Sequence, residues 1–186
     1  METIVPESRI DEITSHEKPR AILLGGQPGS GKGSLAGIAE AELNLDAVKI
    51  DPDALRDYHP RVNEFRRTHP YTWSGLTHAD AGQWADELRN AAVAGRKNII
   101  FDTTLSNGEW SERFSRGLNA DGHGRYVPAS VRDHVYDKLP SSLDTIHART
   151  DVPIRLFDRE GTQLYDSRID ARSPGAALEE ARDARL

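Results

Sequence analysis

"AILLGGQPGSGKGSLAG", residues 21–37, passes from an apolar run through a glycine-rich turn into a helical pattern. Residues 21–26 form a short apolar stretch bounded by glycines and read as a buried central strand. Beyond the turn, Leu35, Ile38, Ala39 and Leu43 recur at helical spacing. Between the two, Gly26, Gln27, Pro28, Gly29, Ser30, Gly31 and Lys32 fit the pattern G-x-x-x-x-G-K. Successive glycines let backbone N–H groups converge on phosphate oxygens, and the start of the following helix adds the positive end of its dipole. Lys32 then neutralises the β- and γ-phosphates, so the stretch is expected to bind phosphate.

The residue after the lysine is Gly33, where this motif ordinarily has the serine or threonine whose hydroxyl sits on Mg²⁺. "GSGKGS" looks like the loop of nucleotide-monophosphate kinases, with the hydroxyl one position later. Gly33 and Ser34 therefore complete the cofactor-binding stretch, and Ser34 is the candidate for contact with phosphate or with metal-bound water.

The flanking sequence predicts a sheet for this loop to sit on. "DAVKID" is a second strand stopped by Asp51 and Pro52, and "KNIIFD" a third. "THADAGQWADELRNAAVAG" reads as a helix that opens on a threonine cap, repeats Trp84, Leu88 and Ala91–Ala92 on one face, and ends at Gly95. Strand, helix, strand, helix, strand imply an α/β fold with a parallel sheet flanked by helices. Further on, "VPASVRDHVYDKL" is a helix candidate with Val127, Val131, Val135 and Leu139 four apart. "PIRLFDREGTQLYDSR" alternates on both sides of "REG" and predicts a C-terminal β-hairpin. "SPGAALEEARDARL" closes the chain as a short surface helix.

In an open parallel sheet the site lies beyond the carboxyl ends of the strands, and here two strands end in acids. Asp102 follows its apolar strand in the manner of a Mg²⁺-binding acid. Asp53 lies a little past the second strand, where it can reach an acceptor hydroxyl. Asp51 reads as a helix cap or as a ligand to metal-bound water.

Composition restricts the classes of partner. The 186 residues fit one domain, with a formal net charge of −6 and 29% charged residues. An acidic chain of this kind has no general electrostatic footprint for nucleic acid and no polybasic block for a membrane surface. With no cysteine, disulfides, thiolate metal sites and a cysteine nucleophile are excluded. The first twenty residues are charged throughout and give no sign of a secretion signal. No window approaches the roughly 18 apolar residues of a membrane span, so the expected location is the cytoplasm. The seven histidines show no H-x-x-x-H spacing and predict no histidine metal site. Trp73, Trp84 and Trp110 read as packing residues.

On these motifs the sequence resembles the zeta toxins, P-loop kinases similar in fold to nucleoside and chloramphenicol phosphotransferases. The matching segments are "LLGGQPGSGKGSL", "VKIDPDALRDYHP", "RKNIIFDTTL", "GRYVP" and "KLPSSLDTIHARTDVPIRLFDREGTQLYDSR", within residues 21–168. The resemblance implies ATP- and Mg²⁺-dependent phosphorylation of a sugar hydroxyl of UDP-N-acetylglucosamine. It also implies a protein antitoxin that covers the ATP pocket. Lys32 matches the phosphate-binding lysine and Asp53 the catalytic base. Thr104 matches a substrate-sugar contact, and Asp86, across a one-residue gap, an acid that binds the sugar. Arg113 and Arg125 match two arginines that clamp the transferring phosphoryl group. A planar, permanently charged guanidinium suits that duty.

Two departures stand out. Where the family commonly reads "DGTLR", this chain has Asp102-Thr103-Thr104-Leu105-Ser106, so Ser106 replaces an arginine on the substrate side. That keeps open an acceptor such as an antibiotic or a nucleotide, while the second departure, a missing segment, keeps open a nucleotide- or antitoxin-binding module without catalysis. In addition, the family carries the rest of a helix and a further apolar strand where Trp110 and Ser111 adjoin here. Either this chain has lost an inner strand, or the sequence omits a segment that the full protein contains. The second reading is favoured, because removing an inner strand exposes the apolar faces of its neighbours.

Overall fold

The computed structural model describes residues 4–26, 32–104, 132–158 and 160–184, with the side chains of Pro6 and of residues 132–136 left aside. Along the chain run α1 (Ile4–Glu7), β1 (Ala21–Gly25), α2 (Lys32–Glu42), β2 (Val48–Ile50) and α3 (Pro52–Leu55), the last passing into a 3₁₀ turn at Arg56–Tyr58. There follow α4 (Val62–Thr68), α5 (Trp73–Leu76), α6 (His78–Ala94), β3 (Ile99–Thr103), α7 (Arg132–Arg149), β4 (Arg155–Phe157), β5 (Gln163–Asp166) and α8 (Pro174–Asp183). Contacts divide the described residues into two compact units. The first holds residues 4–24 and 36–103; the second holds 25–26, 32–35, 104, 132–158 and 160–184.

The first unit is built on a three-stranded sheet in the order β1-β3-β2. β2 and β3 run parallel, with Val48 opposite Ile99 and Ile50 opposite Phe101. Ile99, Ile100 and Phe101 are all buried, as a strand covered on both faces requires, whereas exposed Lys49 separates buried Val48 and Ile50 in β2. The central strand among the described residues is thus β3, and β1 lies beside it with Ile22 and Leu23 half-buried. The expectation of a central β1 rested on its apolar run, and an apolar run does not rank strands within a sheet.

α6 covers this sheet, packing on β2 and on α3. Its buried stripe is Ala81, Ala85, Leu88 and Ala92, set at helical spacing, and small residues there let the helix approach closely. Trp84 is half-buried and Ala91 exposed, so the face is rotated slightly from the one read in the sequence. Thr77 precedes the helix, but its hydroxyl does not cap it; it points back to the carbonyls of Trp73 and Ser74. In α2 the buried positions are Ala36 and Ala39, followed by Leu43 just beyond the helix, while Ile38 is exposed.

The charged N-terminal stretch proves to be part of this unit. Ile4, Ile10 and Ile13 are buried in its core. The Lys97 ammonium donates to the Ile13 carbonyl at 2.6 Å and the His16 N–H to the Arg96 carbonyl at 2.8 Å. Buried Asn98 joins three segments: its Oδ1 accepts from the Arg20 N–H at 2.8 Å, its Nδ2 donates to the Asp46 carbonyl at 2.9 Å, and its own carbonyl accepts from Val48 at 2.8 Å. A buried amide with its polar groups satisfied fixes a register that apolar contacts alone leave free to slide.

In the second unit α7 runs through Pro140 to Arg149, longer than the pattern ending at Leu139 implied. Residues 127–131 of that pattern lie outside the described residues. β4 and β5 form the expected antiparallel hairpin, with a bulge between Leu156 and Phe157. Its turn needs Gly161, whose φ of 86° is in the left-handed region. α8 starts from a Ser173 cap with Pro174 in its first turn and packs on α7. Pro174, Gly175 and Ala177 are buried, so this helix is a packed element with one wet face.

Candidate nucleotide and acceptor site

The glycine turn leaves β1 at Gly26, whose φ of 149° is a backbone conformation that side chains disfavour. Lys32, in the first turn of α2, folds back so that its ammonium donates to the Gly26 carbonyl at 2.9 Å. Gln27, Pro28, Gly29, Ser30 and Gly31 lie outside the described residues. Gly33 and Ser34 are exposed on the first turn of α2, and a Cβ built at Gly33 meets nothing within 4 Å. Among the described residues nothing crowds the helix start at Gly33, with the ammonium of Lys32 on one side in sequence and the Ser34 hydroxyl on the other. Those are the groups a triphosphate requires, a cation, a hydroxyl and room for oxygen atoms.

At the end of β2, Asp51 is the N-cap of α3. Its Oδ1 accepts from the Asp53 N–H at 2.8 Å and, more weakly, from the Ala54 N–H at 3.4 Å. The cap reading of Asp51 is therefore realised, and such a cap contributes about 1 kcal/mol. It also holds the Asp53 backbone two residues later, in the first turn of α3. The side chain of Asp53 is 73% exposed, yet Oδ1 accepts from Arg56 Nε at 2.8 Å.

Arg56 itself is deeply set, with 11% of its side chain exposed. One terminal nitrogen donates to the Ser74 carbonyl and, at 3.4 Å, to the Thr77 hydroxyl; the other donates to His78 Nδ1 at 2.9 Å. A guanidinium only donates, so Nδ1 carries the lone pair and the imidazole proton is on Nε2. Burial, and then the charge of Arg56, push the His78 pKa down to about 4, while Asp53 pulls it the other way. At neutral pH His78 is an uncharged acceptor. Sequence reasoning missed both Arg56 and His78, although Arg56 stands three residues after Asp53 in "DPDALR", the spacing of a helical ion pair.

Asp102 and Thr103 end β3 and Thr104 follows it, all three half-buried. Asp86 lies on α6 with Arg89 Nη1 3.3 Å from its Oδ1. His59 Nε2 lies 3.0 Å from Asp80 Oδ2, and its ring packs against Phe65 and Trp84. Asp51, Asp53, Asp86 and Asp102 belong to the first unit, and Gly26, Lys32, Gly33, Ser34 and Thr104 to the second. Arg113, Arg125 and Ser106 lie outside the described residues. Among the described residues no group of three His, Cys, Asp or Glu is placed to hold a metal ion unaided. The donors on offer, carboxylates and a hydroxyl, are hard oxygen ligands that suit Mg²⁺ retaining much of its water.

A lysine folded back across a glycine turn, between a sheet strand and its helix, places the chain in the P-loop kinase-like class of α/β folds. A solved structure from the PezAT chromosomal toxin–antitoxin system of Streptococcus pneumoniae has the same fold, with a TM-score of 0.80 at 22% identity over 95% of this chain and 82% of that one. The zeta toxin family model matches residues 7–124 and 116–170, and the chain belongs to the zeta toxin family. It is 29% identical to Toxin zeta of Streptococcus agalactiae in an alignment of 213 residues that covers 93% of this chain and 74% of the relative. It is also 29% identical to Toxin zeta of Streptococcus pyogenes, over 88% of this chain and 69% of that protein. Toxin PezT of Streptococcus pneumoniae serotype 4 aligns over 59% of this chain and 43% of its own length, again at 29% identity.

Proposed function

We propose that the chain is an ATP-dependent kinase that phosphorylates a sugar hydroxyl of UDP-N-acetylglucosamine, acting in the cytoplasm as the toxin of a toxin–antitoxin pair. Its partner is a protein antitoxin that covers the ATP pocket. The observation that carries the reading is Asp53, an exposed carboxylate held in place just past β2, in a chain whose glycine turn is spanned by Lys32.

In this reading Lys32 and the turn residues 26–34 hold the triphosphate. Ser34, Asp51 and Asp102 would hold Mg²⁺, largely through water, and the metal would offset the charge of the γ-phosphoryl group that ATP supplies. Asp53 accepts the proton of the acceptor hydroxyl as that oxygen forms its bond to phosphorus and the bond to the ADP oxygen breaks. Base catalysis of this kind contributes about 10²–10⁴-fold. Arg113 and Arg125 stabilise the charge on the phosphoryl oxygens, while Thr104 and Asp86 contact the sugar.

The chain works as a single domain over residues 1–186, and a family segment is absent between Trp110 and Ser111. Two observations support that absence. The alignment to the Streptococcus agalactiae relative runs to 213 residues, more than this chain has. Among the described residues β1 has only β3 beside it, with Ile22 and Leu23 half-buried.

The test is incubation of the purified protein with ATP and Mg²⁺ against UDP-N-acetylglucosamine, other UDP-sugars, nucleosides and aminoglycoside or chloramphenicol-type alcohols, read by mass spectrometry. Phosphorylated UDP-N-acetylglucosamine is the expected product. Ser106 in place of the family arginine favours a second reading, a different small alcohol as acceptor, and phosphorylation of one of those compounds alone would establish it. ATP binding without any phosphorylated product would leave a nucleotide-binding module.

A further inference from the structure

The ion pair between Asp53 and Arg56 is unlike an ordinary surface pair. Two exposed, mobile partners contribute little to stability and hold no fixed geometry. Here one partner is immobilised: the Arg56 guanidinium is bound on its other nitrogens to the Ser74 carbonyl, the Thr77 hydroxyl and His78 Nδ1. All three acceptors come from the corner between α5 and α6, at least eighteen residues further along the chain. The planar fork therefore transmits the position of that corner to one carboxylate oxygen, Asp53 Oδ1. His78 is a suitable anchor because it stays neutral at physiological pH; as an imidazolium it would repel the arginine it now accepts from.

We propose that Arg56 is a positioning residue for phosphoryl transfer: anchored on Ser74, Thr77 and His78, it fixes the Asp53 carboxylate by Oδ1 so that Oδ2 takes the proton of the acceptor hydroxyl. The inference rests on Asp53 as the catalytic base. It deepens that reading by giving the α5–α6 corner a role in catalysis without any contact with substrate. A general base works only within hydrogen-bond reach of its proton, and a displacement of about 1 Å costs on the order of 10²-fold in rate.

The experiment is a double-mutant cycle of Asp53→Asn, Arg56→Gln and the two together, in the full chain with ATP, Mg²⁺ and the acceptor phosphorylated in the screen above. kcat, KM for the acceptor, ATP affinity and the melting temperature are read for each. Asp53→Asn should lower kcat by about 10²–10⁴-fold and Arg56→Gln by about 10²-fold, both with ATP affinity retained. The double variant should be no slower than Asp53→Asn, because Arg56 acts through the group already removed. A folded Arg56→Gln protein with wild-type kcat overturns the proposal, as does a double variant in which the two losses multiply. Wild-type kcat in Asp53→Asn instead overturns the base assignment itself. Should Arg56→Gln fail to fold, the pair His78→Leu and His78→Asn decides. Leucine removes the acceptor and should slow turnover, and asparagine, whose Oδ1 replaces Nδ1, should restore it; equal rates in the two refute the anchoring.

Discussion

The Lys32 ammonium donates to the Gly26 carbonyl at 2.9 Å, bridging the two ends of the glycine turn. The same ammonium is the one the motif assigns to the β- and γ-phosphates, so Lys32→Ala removes a cation from the nucleotide and a tether from the turn. A hydrogen bond from a charged donor contributes about 1.5–3 kcal/mol, and less where water competes for the group. The melting temperature should therefore fall by no more than several degrees. ATP affinity should fall by about 10–10²-fold, and phosphoryl transfer should be lost. Isothermal calorimetry beside a thermal melt separates the two, and unchanged ATP affinity would remove Lys32 from the site.

Gly33 and Ser34 pose the matching question about the metal. Nothing in the described structure lies within 4 Å of a Cβ at Gly33, so none of the described residues excludes a side chain there. Gly33→Ser should be tolerated and slightly stabilising, since glycine within a helix costs up to about 1 kcal/mol. Ser34→Ala should raise the Mg²⁺ concentration needed for half-maximal turnover while leaving metal-free nucleotide binding nearly unchanged. Titration of Mg²⁺ against initial rate reads this directly. A strong gain from Gly33→Ser with no effect of Ser34→Ala would mark Gly33 as a damaged metal ligand.

Gly175 is placed where only glycine fits. Its N–H donates to Asp144 Oδ1 at 2.7 Å, and a Cβ there would run into Asp144 Oδ2 and lie 2.7 Å from the Pro140 carbonyl. The aspartate can swing aside, but the carbonyl belongs to the backbone of α7. Gly175→Ala should accordingly destabilise the protein by about 1–3 kcal/mol, the usual cost of overpacking. The check is the denaturation midpoint, and removal of the side-chain obstacle in an Asp144→Ala background should not restore it. A neutral Gly175→Ala would contradict the close approach of α8 to α7.

The parts of the fold legible in the sequence are those where one short stretch contains its own cause. "AILLGG" and "KGSLAG" announced β1 and α2, and "REG" between alternating residues announced the β4–β5 hairpin. Lost were features whose cause lies far along the chain. The isoleucines of the N-terminal stretch are buried where Asn98, Lys97 and Arg96 receive that stretch eighty or more residues later. α7 outruns its apolar pattern because packing against α8, rather than local propensity, carries it past Pro140. In the candidate site the acids were visible as strand ends, and Asp51 as a cap. The anchor of Asp53 was not, since Arg56 meets His78 only once α5 and α6 have packed.

His78 also sets a pH dependence of stability. Its pKa is held at about 4 in the folded protein against 6.5 ordinarily, chiefly by burial and then by the charge of Arg56. Between those two values the unfolded chain binds a proton that the folded chain refuses. Stability therefore rises with pH across this window, is complete above about 6.5, and is lost progressively as pH falls toward 4. The arginine-bound carboxylates act in a lower window. Asp166 and Asp170 are each held at about 2, from an ordinary 3.8, by hydrogen bonds from Arg168 and Arg172, so their contribution is lost only as pH falls from near 4 toward 2. Melting temperatures at constant ionic strength from pH 7 to 4.5 should decline in the wild type. In His78→Asn, which keeps an acceptor for Arg56 but has nothing to titrate, the decline should be much shallower. An unchanged slope in that variant would assign the loss to other groups and remove the basis for a buried, neutral His78.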